Sequence, residues 1–248
     1  MSWTVVAVGL ALGSFVSMVV YRLPRDEGMV FSRSRCTLCG HQLGPLELVP
    51  VLSFVWLRGR CLSCRGRISW RYPLVELLTA ALLSALWLVH GTEKVFWPYA
   101  AFTLVLIIVS IIDLDHFWIP DRVLWAGLLL WGLSRWWPGG FSLRPALLGG
   151  AVGLATMTTI YYLARGGMGL GDVKLAALMG LYLGPEQVAL ALMLAFVTGA
   201  CTGGILVLLR RKGRKDRLPF GPFLAAGAYV AMMWGPRLVR WYLNLVGF

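Results

Sequence analysis

Acidic side chains are scarce in this sequence. Asp and Glu together number 11 among 248 residues, and charged residues of both signs make up only 14%. A soluble domain carries roughly 25% charged residues, so a water-soluble globular class is excluded. The hydrophobic share is 58% and the mean hydropathy is +0.74. The apolar/polar alternation that a membrane barrel needs is missing too. Lipid then leaves the helix as the spanning structure, because each segment must satisfy its own backbone polar groups. No internal repeat is evident. The first apolar stretch lacks the basic start of a secretory signal, and RLPRDEG follows it in place of a small-residue cleavage site. It therefore reads as a retained helix.

What is present is a series of apolar runs. A membrane-spanning helix needs about 17–25 apolar residues, and stretches 3–21, 73–90, 95–112, 123–137, 145–164, 173–185, 188–209 and 220–235 approach or meet that length. The predicted fold is an all-α polytopic membrane protein of about eight transmembrane helices. The sixth stretch is short and contains Gly180, which predicts a tilted, broken or partly spanning helix. The formal net charge is +12. With the N-terminus outside, all but five of the 23 Lys and Arg fall on the cytoplasmic side, the exceptions being Lys94, Arg135, Arg144, Arg237 and Arg240. That asymmetry fits the positive-inside rule, so the charge reads as topology and not as a nucleic-acid footprint. Residues 210–218 form a basic loop suited to lipid headgroups. Trp118, Trp125, Trp131, Trp136 and Trp137 crowd the fourth stretch, as interfacial anchors do. The chain divides into a first transmembrane helix, 1–22, a cytoplasmic segment, 23–72, and a transmembrane core, 73–248.

The cytoplasmic segment holds four of the five cysteines, as Cys36-x-x-Cys39 and Cys61-x-x-Cys64. Each CxxC turn points two thiolates at one ion, and two such knuckles complete a tetrahedral zinc site. Gly40 and Gly66 supply the backbone freedom such turns want. A segment this small buries little core, so the metal would supply folding free energy. Paired disulfides or a thiol redox relay are the alternatives, and both require an oxidising outer face. His41 follows the first knuckle, but four cysteines leave no ligand vacancy. Cys201, inside the seventh stretch, reads as a small buried apolar residue.

Two aspartates stand where apolar stretches meet polar turns: Asp113 in IIVSIIDLDHFWIPD and Asp172 in GGMGLGDVK. Ionisable residues at the mouths of membrane helices are costly and mark functional sites. By the charge count both face the cytoplasm. Two carboxyls within a few Å cannot easily both ionise, so one keeps a proton to polarise a carbonyl while the other deprotonates water. The glycines of Gly169-Leu170-Gly171-Asp172 let a chain pass close to a helix or an extended substrate. Asp115 and Asp121 share the first loop with Pro120. Asp121 reads as the N-cap of the next helix; Asp115 reads equally as a site residue or a helix-end carboxylate.

GSFVSMVVYRLP (13–24), the paired CxxC turns, LRGRCLSCRGRISWRYPLVELLTA (57–80), IDLDHFWIPD (112–121), MGLGDVK (168–174) and LPFGPFLAAG (218–227) cover nearly the whole chain. Together they resemble the type IV prepilin peptidases, membrane aspartyl proteases of type IV pilus and type II secretion systems. Ser17 stands where that family usually has Asn. The resemblance implies a bacterial inner-membrane enzyme that removes the basic leader of prepilins and pseudopilins at the cytoplasmic face, after a Gly. Asp113 and Asp172 would be the catalytic pair, supported by Gly169, Gly171, Asp115 and Pro120, with structural zinc on Cys36, Cys39, Cys61 and Cys64. Members with the cysteine segment often N-methylate the newly exposed residue from S-adenosylmethionine. Glu76, in an apolar helix just past Arg71, is the candidate for that transfer; a salt bridge to Arg71 is the plainer reading. The expected partners are prepilins, pseudopilins and the bilayer, with no nucleic acid. An ion-coupled transporter with Asp113 and Asp172 as proton sites is the competing class, but the apolar spans offer no further polar lining for a transport path.

Overall fold

The computed structural model describes residues 2–28, 33–136, 142–164, 167–209 and 218–246. Arg165, Trp137 and the basic run 210–217 lie outside the described residues. Each expected apolar stretch is helical over most of its described length, and no named strand occurs among the described residues. The long helices are α1 (Ser2–Arg22), α3 (Arg71–His90), α4 (Phe96–His116), α5 (Asp121–Ser134), α6 (Leu143–Leu163), α7 (Leu170–Leu183), α8 (Pro185–Leu208) and α9 (Gly221–Val246); α2 (Leu52–Trp56) is a short helix between α1 and α3. Five of them, α1, α3, α4, α6 and α8, are long and apolar enough to cross a membrane. At 14 residues each, α5 and α7 reach only about 21 Å at 1.5 Å per residue, short of the roughly 30 Å hydrocarbon core.

The chain forms two compact units, residues 1–91 and 92–248. In the first, α1 packs along α3. Gly9 and Gly13, four apart on α1, allow the contact: a Cβ on Gly13 would stand 2.6 Å from Glu76 Cα, and one on Gly9 2.7 Å from Ala80 Cα. Small residues at this spacing let helix backbones approach where lipid supplies no hydrophobic drive.

In the second unit α4 is the most enclosed of the long apolar helices, with 67% of its apolar window buried. Phe102 of α4 stacks on Tyr182 of α7 at 4.1 Å between ring centroids. The Tyr182 hydroxyl donates to the Gly127 carbonyl of α5 at 2.8 Å, so one buried phenol ties three helices and leaves no polar atom unpaired. Gly180 does not break α7. Its missing side chain admits the Gly149 backbone of α6, and Gly153 likewise sits against the Ala176 carbonyl. Of the three alternatives for this stretch, the short unbroken α7 fits a partly spanning helix, and Gly180 serves a helix–helix contact. Gly184, at φ +80°, ends α7, and Pro185 opens α8 directly, the usual pairing of a terminal glycine with a proline in the first turn.

One expectation about a side chain fails here. Cys201 is exposed, because it lies off the stripe Val188, Ala191, Leu192, Ala195 and Gly199 that α8 buries. Of the tryptophans near α5, Trp118, Trp125 and Trp136 are exposed, as most were expected to be, and Trp131 is buried.

Candidate active site

The α4 helix runs three residues past Asp113, so Asp113 and Asp115 belong to its last turn and not to a loop. The left-handed backbone of Phe117 (φ 53°) ends it. Ile119 and Pro120 are buried, and Pro120, in extended conformation, is the N-cap of α5. This corrects the expectation for Asp121, which is the first helical residue and caps nothing. Its carboxylate instead accepts a hydrogen bond from Lys174 Nζ at 2.7 Å, an exposed ion pair from α5 to α7. A proline has no N–H to need a cap and already holds the required φ, so the capping position falls one residue earlier than the acid.

Asp113 is buried, and its Oδ2 accepts a hydrogen bond from the Gly221 backbone N–H at 2.8 Å. Gly221 opens α9 and is followed by Pro222. The first N–H groups of a helix have no partner inside it, and a carboxylate there also meets the positive end of the helix dipole. Asp113 thereby closes the start of a helix 108 residues away in sequence. Asp172 is buried in the first turn of α7, and its Oδ2 accepts from the Gly169 N–H at 3.3 Å. The two aspartates are near enough that the charge on Asp113 acts on Asp172. Gly171 places the GxGD backbone against the turn after α4: a Cβ there would lie 2.8 Å from Ile119 Cβ. The ends of α4, α5, α7 and α9 therefore meet around two buried carboxyls. Asp115 is exposed beside them. Gly221, Ile119 and Lys174 shape this site and were not singled out from sequence. The Phe-Gly-Pro-Phe run at the head of the last apolar stretch was the available signal for Gly221.

In the other unit Cys36, Cys39, Cys61 and Cys64 bring four sulfurs within 4.8 Å of one another. Cys36 and Cys64 Sγ are 3.9 Å apart, and Cys39 and Cys61 Sγ 4.0 Å. Four thiolates about 2.3 Å from a tetrahedral zinc stand roughly 3.8 Å apart, so the cluster fits a metal ion. The knuckles share one backbone plan: Cys36 N–H donates to the His41 carbonyl at 2.8 Å and Cys61 N–H to the Gly66 carbonyl at 2.9 Å. Gly40 takes the left-handed conformation in the first (φ +73°), as expected, but Arg65 takes it in the second (φ 54°). Gly66 instead leaves room for Leu38, whose side chain a Cβ there would strike. The backbone N–H groups of Cys39 and Leu38 draw the Cys36 thiol down to about 6. Against the pull of the His41 backbone, desolvation and the neighbouring sulfurs push Cys39 up to about 11, so one thiolate forms readily and the rest await a cation. His41 turns to Glu47 at 3.2 Å, so the four sulfurs remain the ligand set.

Glu76 is buried on α3, and its Oε2 accepts from the Val51 N–H at 2.8 Å; the Ser14 side chain of α1 also bonds to it. Val51 has φ +60°, a costly conformation for a β-branched residue. The carboxylate thus fastens a strained turn to α3. Ser17 is buried with its hydroxyl unpaired.

The N-terminal domain of bacterial A24 peptidases matches residues 7–90, and the type IV leader peptidase family matches residues 100–204. A prepilin leader peptidase/N-methyltransferase of Aeromonas hydrophila is 38% identical, over 95% of this chain and 91% of its own. The chain belongs to the type IV leader peptidase family. Relatives of the same description in Bacillus subtilis and Pseudomonas aeruginosa are 36% and 33% identical, covering 96% and 98% of this chain and 96% and 93% of theirs. By that membership the chain is an aspartic peptidase. No solved structure matches it.

Proposed function

We propose that this enzyme cleaves the basic leader of prepilins and pseudopilins at the cytoplasmic face of the inner membrane, with Asp113 and Asp172 as the catalytic pair. The observation that carries the reading is two buried carboxyls at helix ends drawn together by the Gly221 N–H on Asp113 and by Gly171 against Ile119. One carboxyl holds its proton and polarises the scissile carbonyl; the other takes a proton from the attacking water. Gly169 and Gly171 keep the GxGD backbone low enough for an extended substrate to lie over it, and Pro120 fixes the turn that Gly171 packs on. Asp115 sits exposed at the rim, where it attracts a basic leader. Leader lysines and arginines are costly in hydrocarbon, so the scissile bond waits at the interface. Eight helices cross the bilayer, α5 and α7 supported by their neighbours, with the N-terminus outside and residues 23–72 in the cytoplasm, the orientation that the Lys and Arg asymmetry favours. Cys36, Cys39, Cys61 and Cys64 hold a structural zinc.

The same enzyme methylates the new N-terminal amine. S-adenosylmethionine supplies the methyl group, and Glu76 is the carboxylate to test in that transfer. The deciding experiment incubates purified protein in detergent with a prepilin peptide, with and without S-adenosylmethionine, and reads products by mass spectrometry. Wild type yields the cleaved and then the methylated peptide. Asp113→Ala and Asp172→Ala each lose cleavage by orders of magnitude while inserting normally, and methylate a pre-cleaved peptide. Full turnover in either variant removes the assignment of the pair.

A further inference from the structure

The α2 turn and the second knuckle carry an exposed apolar face that includes neither aspartate nor Glu76. Leu52, Val55 and Trp56 stand at i, i+3 and i+4, one face of a helix, and are 66%, 66% and 82% exposed. The opposite side is committed: Phe54 is buried against Trp70, ring centroids 4.7 Å apart, and fills the space that a side chain at Gly59 would need. The outward apolar face therefore has no partner within its own unit. A cavity of about 480 Å³ adjoins it, lined by Trp56, Leu57, Arg58, Arg60, Cys61, Leu62 and Arg65.

The exposed charge beside it is basic, because the flanking acid Glu47 is turned to His41 and Gly44, and Glu76 to the Val51 N–H. Residues 48–75 contain Arg58, Arg60, Arg65, Arg67 and Arg71 and no Asp or Glu. Arg58, Arg60 and Arg65 are exposed, and among the described residues none of the three forms an ion pair with an acid. A divalent ion on four thiolates would carry two negative charges, fewer than these three exposed arginines. Their guanidinium groups are open to an anion from outside the unit. A basic leader is repelled here, and so is a sulfonium methyl donor.

We propose that this face docks on the membrane surface, with Leu52, Val55 and Trp56 set into the headgroup boundary and Arg58, Arg60 and Arg65 holding the phosphate of an anionic phospholipid. The segment is joined at both ends to helices long and apolar enough to span a bilayer, α1 and α3, which keeps it at the interface. Exposed Trp and Leu beside arginines is the composition of interfacial anchors. Arginine pairs with phosphate through two parallel N–H donors. Three arginines at an anionic surface give on the order of a hundredfold preference over a neutral one.

The test is amide hydrogen exchange of residues 49–68 in the full-length protein, in nanodiscs of phosphatidylglycerol and of phosphatidylcholine. Exchange slows tenfold or more in phosphatidylglycerol relative to phosphatidylcholine, and Arg58→Glu/Arg60→Glu removes the difference while metal content stays at wild type. Trp56→Ser, which leaves the arginines in place, weakens protection in both lipids. Equal exchange in the two lipids, or protection surviving charge reversal, overturns the proposal. So does slowing in phosphatidylcholine on addition of inorganic phosphate alone, which would make the cavity a site for a free anion, or of an acidic peptide alone, which would make it a peptide groove. Leader cleavage, followed in the same discs, reports separately on the peptidase reading.

Discussion

Gly221 is the sharpest probe of the aspartate site because it touches Asp113 without being able to titrate. Its N–H donates to Asp113 Oδ2 at 2.8 Å. A Cβ on Gly221 would stand 2.8 Å from that same oxygen and 3.2 Å from the aspartate Cβ and Cγ. An ordinary carbon–oxygen approach is about 3.4 Å, so Gly221→Ala drives the carboxyl back by roughly 0.6 Å. Misplacement of a reacting group by about 1 Å costs on the order of a hundredfold in rate. The expected loss is therefore on the order of tenfold in kcat, about 1.4 kcal/mol. Gly221 does not occupy the left-handed region, so alanine adds no backbone strain, and in a helix it is the better residue by about 0.5–1 kcal/mol. Folding and insertion should hold. Gly203→Ala is the control, since nothing lies within 4 Å of a Cβ there. The assay is steady-state cleavage of a prepilin peptide, alongside thermal unfolding of each variant. Wild-type turnover by Gly221→Ala refutes the reasoning. An equal loss in Gly203→Ala refutes it as well, since the effect would then not run through Asp113.

Elemental analysis of protein purified without chelator should give close to one zinc per chain, and replacing Cys36, Cys39, Cys61 or Cys64 by Ser should lower it and expose residues 23–72 to protease. Gly180→Ala should push α7 from Gly149 of α6 and cost about 1–3 kcal/mol, read as a fall in thermal midpoint with metal content unchanged. Asp121→Ala removes an exposed ion pair to Lys174, a class of contact that contributes about 0.2–1 kcal/mol, so both stability and cleavage should stay near wild type; a collapse of either would make that pair part of the site. Glu76→Gln keeps an acceptor for the Val51 N–H while removing the charge, whereas Glu76→Ala removes both. Methylation lost in Gln with cleavage retained assigns the carboxylate to the transfer, and methylation lost only in Ala gives it the Val51 turn alone.

The sequence by itself determined the class of the molecule and the chemistry available to it. Apolar runs with no alternation leave helices as the spanning structure, because a backbone in lipid must satisfy its own hydrogen bonds. Two CxxC turns name a four-sulfur cluster, because the turn geometry is local, and Asp113 and Asp172 stand out because a charge at the end of an apolar helix is expensive. Tertiary structure decided everything that depends on which helix ends meet. The Gly221 N–H on Asp113 joins residues 108 apart, and no local pattern encodes that pairing. The same holds for Asp121, which from its neighbours alone reads as a cap but lies beside Lys174. Cys201 was misread, and the part Gly180 plays in the short sixth stretch was left open, for a related reason. A glycine inside an apolar helix can break it or admit a neighbour, and a cysteine can face in or out. Only the packing of α6 on α7 and the buried stripe of α8 chose between them, since in a chain apolar on every face hydropathy does not distinguish lipid from protein as the surrounding medium.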